Sequence, residues 1–279
     1  MTATRTAAPP GPATAGGFDP GMFICNVVPS VGTENDWRFG DSIESGAVTA
    51  PGALPPSVDL RAPWWTINSQ ESTGSCVGWA VADGLVRYQL VQAGRIGQAA
   101  PLSPRYVWMA SKETDVIVTR PETFIERAGT TLKAAVDVAR KYGVALETEL
   151  PFHIPTNMFS GNENAFYASC AQRRITSYFN LLRDLPAWKS WLATQGPILA
   201  ALQVDASWDD AAATGGEVDD FQPATVRGGH AICIVGYRAN GRFIVRNSWG
   251  TGWGDGGFGY LSPAYVLAAF FDESYGITA

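Results

Sequence analysis

Apolar positions after Cys76 recur at three- and four-residue intervals: Val77, Ala80, Val81, Gly84, Leu85 and Tyr88. This spacing predicts a helix buried on nearly all sides, with Gly94 as its stop. A second helix is predicted in LSPRYVWMASK, where Ser103 stands in the N-cap position and Pro104 in the first turn. In TTLKAAVDVARKYG, Leu132, Ala135, Val136 and Ala139 share one face, between a threonine cap and a stop at Gly143. DLPAWKSWLATQG, starting at Asp184, is a fourth candidate. Beyond it the pattern becomes that of strands, in GPILAALQV, HAICIVGYR, RFIVRNS and GYLS. Arg238 to Gly241 supplies an Asn-Gly turn between the second and third of these, and the glycine-rich GTGWGDGGFG reads as a long loop before the fourth. No internal repeat is visible. The expected class is α+β, helical first and sheet-rich later.

The N-terminal portion has neither period. Residues 1–17 are almost entirely Ala, Thr, Pro and Gly, a composition that cannot bury enough apolar surface to order itself. From Phe18 to Ala53 scattered aromatic and aliphatic residues appear between prolines and glycines, the profile of an extended segment lying on another surface. A folded body begins at LPPSVDLR, from Leu54.

Composition and charge remove several function classes. The chain has 279 residues, 46% of them hydrophobic, and a net charge of −6 with no basic cluster, which speaks against a nucleic-acid partner. No apolar run approaches the roughly 20 residues that cross a bilayer, and the N-terminus offers no hydrophobic stretch for a signal peptide. No membrane partner and a cytoplasmic location are expected, with another export route left open. The four cysteines, Cys25, Cys76, Cys170 and Cys233, lie far apart without a CxxC pair, so no metal site is expected.

One of those cysteines sits where chemistry is favoured. Cys76 falls at the first turn of its helix, where unpaired backbone N–H groups and the helix dipole bias a thiol toward thiolate. Gly74 and Ser75 before it leave the sulfur approachable. The plainer reading of such a cysteine is a small buried hydrophobe. Of the two histidines, His153 in ELPFHIP reads as a solvated loop residue, whereas His230 begins an apolar strand behind Gly228 and Gly229. A strand end can hold a general base rigidly at a cleft, although an interior hydrogen-bonded histidine fits there as well. The Asn-Gly turn makes the following strand its neighbour and brings Asn247 near His230, with Trp249 two residues on to exclude water from the contact.

Together, QESTGSCVGWA, GGHAICIVGY and RNSWGTGWGDGGFGY resemble the papain family of cysteine peptidases, in particular its bacterial branch. LPPSVDLR, KYGVALETELPF, ITSYFN and QGPILAALQVDASW extend the likeness over Leu54 to Ser262 in the same order. The resemblance implies a two-lobed α+β fold, with a helical lobe over 54–165 and an antiparallel, β-barrel-like lobe over 166–279, and the active site in the cleft between them. It implies that Cys76 is the nucleophile, His230 the general base, Asn247 its orienter and Gln70 an oxyanion donor. Gly74, Ser75, Gly129, Gly229 and Trp249 become the candidates for substrate contact, Gly129 within ERAGTTLK, which departs from the family's usual glycine-rich form. The implied activity is hydrolysis of peptide or protein substrates through a thioester, with no cofactor and no metal. Residues 1–53 are then expected to be a short prosegment in or near the cleft. Val77 stands where the family has an aromatic residue, and Thr73 where it has a loop cysteine, which removes a disulfide of the secreted members. An acyltransferase or peptide ligase on the same fold, or a binding module, remains an alternative.

Overall fold

The computed structural model describes residues 18–50, 52–115, 125–153 and 161–279; residues 1–17 of the expected prosegment lie outside them. Among the described residues no helix is long and apolar enough to cross a membrane. The helix expected after Cys76 forms as one continuous rod: α2 (Cys76–Trp79) runs through a π-helical stretch, Ala80–Val86, into α3 (Arg87–Gln92). Every residue from position 76 to position 90 is buried. Two glycines make that possible, because a Cβ on Gly78 would lie 2.4 Å from the Pro104 carbonyl oxygen and one on Gly84 2.4 Å from the Cys233 sulfur.

The capping signals work as their chemistry dictates. The Ser103 hydroxyl accepts from Tyr106 N–H at the start of α4 (Pro104–Thr114), and the Thr131 hydroxyl accepts from Ala134 N–H at the start of α5 (Leu132–Lys141). Arg140 and Lys141 occupy the last turn of α5, where cations suit the helix dipole. Gly143 follows in the left-handed region, with the Cys170 carbonyl where a side chain would point. α6 (Glu163–Ala171) carries that cysteine, and α7 (Leu185–Thr194) is capped by Asp184.

Beyond α6 the chain is mostly sheet. The strands are β1 (Val58–Asp59), β2 (Ser177–Asn180), β3 (Ile198–Val204), β4 (Glu217–Val218), β5 (Gly228–Tyr237), β6 (Phe243–Arg246), β7 (Phe258–Leu261) and β8 (Phe270–Thr278), with α8 (Pro263–Ala269) before the last. They form one sheet in the order β2-β8-β3-β5-β6-β7-β4, with β1 added to β5. The expected barrel-like closure does not occur. β2 and β4 end the ladder without pairing to each other, and β4 joins β7 in parallel, so the sheet stays open.

Both faces of the central strands are covered, which explains their unbroken apolar runs. Ala231, Cys233 and Val235 of β5 face the α2 to α5 layer, while Ile232 and Ile234 face a second core with Trp188, Trp191, Trp208 and Trp253. The N-terminal segment contributes to both cores, Val27 to the first and Phe23 and Val48 to the second. It holds a short helix, α1 (Phe39–Glu44), and is otherwise extended or in single turns.

Candidate active site

Cys76 opens α2 and has no exposed surface. The backbone N–H groups of Ala231, Val77 and Asn26 lie close enough to favour the charged form of its sulfur. Ala231 directly follows His230, and α2 packs against β5, so the sulfur lies beside the strand of the candidate base. Burial pushes the thiol up to about 11, and the backbone donors offset only part of that rise. Burial thus opposes the expected bias toward thiolate in this state. Excluding water from the sulfur outweighs the N-terminal field of a short helix.

His230, equally buried, lies opposite Leu202 in the β3–β5 ladder. Its Nε2 is 2.7 Å from Asn247 Oδ1. The same oxygen accepts from Ser248 N–H at 2.8 Å, which fixes the amide with its oxygen toward the ring. Nε2 must then carry the hydrogen, leaving Nδ1 as the basic nitrogen, and Nδ1 is buried without a protein hydrogen-bond partner. Trp249 lies against the imidazole at 4.9 Å between centroids and Trp208 meets it edge-on at 5.8 Å. Burial in this shell pulls His230 down to about 4; the Asn247 bond works the other way, and Arg227 adds a smaller downward push.

Gln70 is held in a turn where Glu71 takes a positive φ of 53°. Its backbone N–H donates to the Ser248 carbonyl at 2.8 Å, and Ser248 Oγ donates to Gln70 Oε1 at 3.0 Å, aiming Nε2 into the site. Ser248 thus joins the candidate oxyanion donor to Asn247 and His230 in one connected set of bonds. The sequence reading missed it, although it stands inside the NSWG run between two residues that were singled out. It also missed Asp83 of the π-helical stretch. The Asp83 carboxylate receives Arg87 Nη1 at 2.8 Å and Arg246 Nη2 at 2.6 Å, both arginines buried, tying the helix of Cys76 to the end of β6, just before Asn247.

The site is filled by the chain's own N-terminal segment. Phe23 stacks on Trp249 at 5.0 Å and 9°, and Phe18 stacks on Phe23. Gln70 Nε2 donates to the Ile24 carbonyl at 3.1 Å and to the Thr73 carbonyl at 3.0 Å. Val27 N–H donates to the Gly229 carbonyl at 3.0 Å, and Val28 N–H to the Thr130 carbonyl at 3.1 Å. A Cβ on Gly129 would lie 1.9 Å from the Asn26 carbonyl oxygen, and one on Gly74 2.7 Å from the Asn26 side-chain amide nitrogen. Gly74, Gly129, Gly229 and Trp249 therefore all touch residues of this segment. Ser75 does not use its hydroxyl there, bonding Thr73 Oγ1 at 2.6 Å instead. His153 stays at the rim, 3.6 Å from the Glu71 carboxylate and mostly exposed. Among the described residues no group of three or more His, Cys, Asp or Glu is placed to hold a metal ion.

The sequence profile described as papain family cysteine protease matches residues 54–266. The chain belongs to the papain family. Macrodontain-1 of Ananas macrodontes is 28% identical over 207 residues, covering 74% of this chain and 88% of its own. Cathepsin B-like CP2 of Giardia intestinalis is 30% identical over 250 residues, covering 82% and 78%. Among solved structures, xylellain, a cysteine protease from Xylella fastidiosa, superposes with a TM-score of 0.75 over 92% of this chain and 97% of its own, at 21% identity. As a papain-family cysteine peptidase, the chain has the α+β architecture that its sequence motifs imply.

Proposed function

We propose that this peptidase forms its thioester on Cys76, and that residues 18 to 50 hold it latent as a prosegment. The observation that carries the first half is the run Gln70, Ser248, Asn247, His230, in which each group orients the next and the end lies on β5, the strand packed against the helix that Cys76 opens. When a peptide replaces the segment, His230 Nδ1 accepts the thiol proton as the sulfur attacks the carbonyl carbon. The oxyanion accepts from Gln70 Nε2 and the Cys76 backbone N–H. Collapse breaks the C–N bond, and the leaving amine takes the proton from His230. Water then attacks the thioester, losing its proton to the same nitrogen and releasing the acid and the thiol. The complete set of nucleophile, base and donor stands against a binding module. An origin in the bacterial branch is supported by the likeness to xylellain. Gln70→Ala, which removes a donor aimed at the oxyanion, is expected to lower kcat for a small peptide amide by about a hundredfold to a thousandfold. A loss of less than fivefold, on the order of 1 kcal/mol, would remove Gln70 from that role.

Latency is supported by the Ile24 carbonyl, which occupies Gln70 Nε2, and by Asn26, which packs against Gly74 and Gly129 beside the nucleophile. Both places are needed by substrate. Phe23→Ala with Val27→Asp removes the stack on Trp249 and places a charge in the first core, and it is expected to raise the rate of Cys76 alkylation by iodoacetamide at pH 7.5 severalfold or more. The sign of the pH effect follows from His230. Its pKa is about 4 while the segment is closed, against roughly 6.5 for an unperturbed imidazole. The open form therefore binds more protons between these values, and opening gains as pH falls through that window, up to about tenfold per unit. Alkylation rates measured from pH 4 to pH 7 in the full chain test this; equal rates in the parent and the double variant would show that the segment does not shield the sulfur.

A further inference from the structure

Arg227 stands just before β5, three residues ahead of His230, and its backbone N–H donates to the Val204 carbonyl at 2.8 Å. Its guanidinium lies 5.7 Å from the centroid of the Trp249 ring, the same ring that lies against the imidazole. Nη2 is 2.9 Å from the Asp209 carboxylate, which holds the planar fork in place and balances its charge. Nη1 donates to the Pro20 carbonyl of the N-terminal segment at 3.0 Å. The Arg227 and Asp209 side chains are 28% and 36% exposed, so the pair is open to a chain lying over it. None of the steps at Cys76 and His230 uses this donor.

The order of contacts along the segment shows which half of a substrate would meet Arg227. Phe23 meets Trp249, Ile24 meets Gln70, and Asn26 meets Gly129. Trp249 and Gly129 therefore lie on opposite sides of the oxyanion donor. The leaving amine takes its proton from His230, against which Trp249 lies, so the leaving half of the peptide runs past Trp249 towards Arg227. An extended residue spans about 3.3–3.6 Å, which puts the carbonyl that Arg227 would meet within about three residues of the bond cleaved.

We propose that Arg227 is a substrate-binding residue for the leaving half of the peptide. Once the segment is displaced, Nη1 donates to a backbone carbonyl beyond the cleaved bond, which suits the enzyme to the interior of polypeptides and not to their carboxyl ends. The proposal rests on the reading of Cys76 and His230 as nucleophile and base and of residues 18 to 50 as the occupant of the cleft. A neutral carbonyl is the fitting partner because Asp209 already compensates the guanidinium, and a carbonyl is what the segment presents there.

The test uses the full chain carrying Phe23→Ala and Val27→Asp, which opens the cleft, and a set of peptides sharing one acyl half. Their leaving halves are Ala-amide, Ala-Ala-amide and Ala-Ala-Ala-amide, and cleavage is followed by mass spectrometry. Every member forms the same thioester, so deacylation is common to all and the gain from length falls in kcat/KM. That gain is expected to be about tenfold from the shortest to the longest, the usual scale for a hydrogen bond from a charged donor. Adding Arg227→Met is expected to cut it to about twofold or less, whereas Arg227→Lys, which keeps a cationic donor, retains more of it. The ratio isolates binding. A latch on Pro20 alters the fraction of open molecules, and the push of Arg227 on His230 alters proton transfer, and each changes all the peptides alike. No gain with length in the starting chain, or an equal gain in Arg227→Met, overturns the proposal alone. So does faster cleavage of the free acid than of the amide of the same length, which would assign Arg227 to a terminal carboxylate. Cleavage of no member overturns the underlying reading of site and segment, and the proposal with it.

Discussion

Cys76→Ala is expected to abolish hydrolysis of peptide amides, a fall in kcat on the order of 10⁴ to 10⁶, by analogy with removal of a nucleophile from other covalent hydrolases. The size follows from what the change takes away, since no neighbouring group can form the thioester in its place. His230→Ala should cost a similar factor, and the double variant little more than either single change, because nucleophile and base act as one unit. The residual rate would come from the Gln70 amide, which Ser248 still orients, and the backbone N–H at position 76. Cys25→Ala removes no group from the reaction and should retain turnover once the segment is displaced. Measurement of kcat on a chromogenic peptide amide, after reduction, is sufficient. Activity surviving the Cys76 change would exclude the thioester route altogether.

How much of this could be read from the residues depended on whether the signal was local. The caps at Ser103, Thr131 and Asp184 were legible because each satisfies N–H groups within its own first turn. The β5–β6 pairing was legible because its turn is short, with Gly241 N–H donating to the Arg238 carbonyl at 2.9 Å. β8 was not. Its apolar positions are interrupted by Asp272, Glu273 and Ser274, and the buried Glu273 carboxylate is met by Ser30, over 200 positions earlier, which donates both its N–H and its hydroxyl. The site showed the same division. Cys76, His230 and Asn247 stand in stretches whose composition marks them, while the neutrality of the thiol comes from its burial, which the backbone N–H of Asn26 only partly offsets, and the Ile24 carbonyl on Gln70 is a contact that no periodicity encodes. The open sheet was missed for a related reason, because closure is decided by which edges meet and not by the pattern along any strand.

Asp83→Ala is expected to lower the unfolding free energy by about 3–5 kcal/mol, because it strips the shared counter-charge from two buried guanidinium groups. The Asp83 side chain is 2% exposed, and those of Arg87 and Arg246 are 6% and 4%. The arginines would keep their other partners, Arg87 the Gln98 carbonyl at 2.9 Å and Arg246 the Thr66 carbonyl at 2.6 Å with the Trp65 ring beneath it. Those contacts satisfy donors but neutralise nothing. Asp83→Asn, which keeps the shape and one acceptor, should lose less than Asp83→Ala. Changing Asp83, Arg87 and Arg246 together to apolar residues of similar volume should recover much of the stability. Activity should not return with it, since the triad fixes the end of β6, one residue before Asn247, against the helix that begins at Cys76. Guanidinium unfolding curves with unchanged slope give the first quantity, and kcat of the refolded triple variant gives the second. A loss under about 1 kcal/mol in Asp83→Ala would mean that water reaches the triad and that its charges are screened. The coupling between helix and strand would then have to come from packing alone.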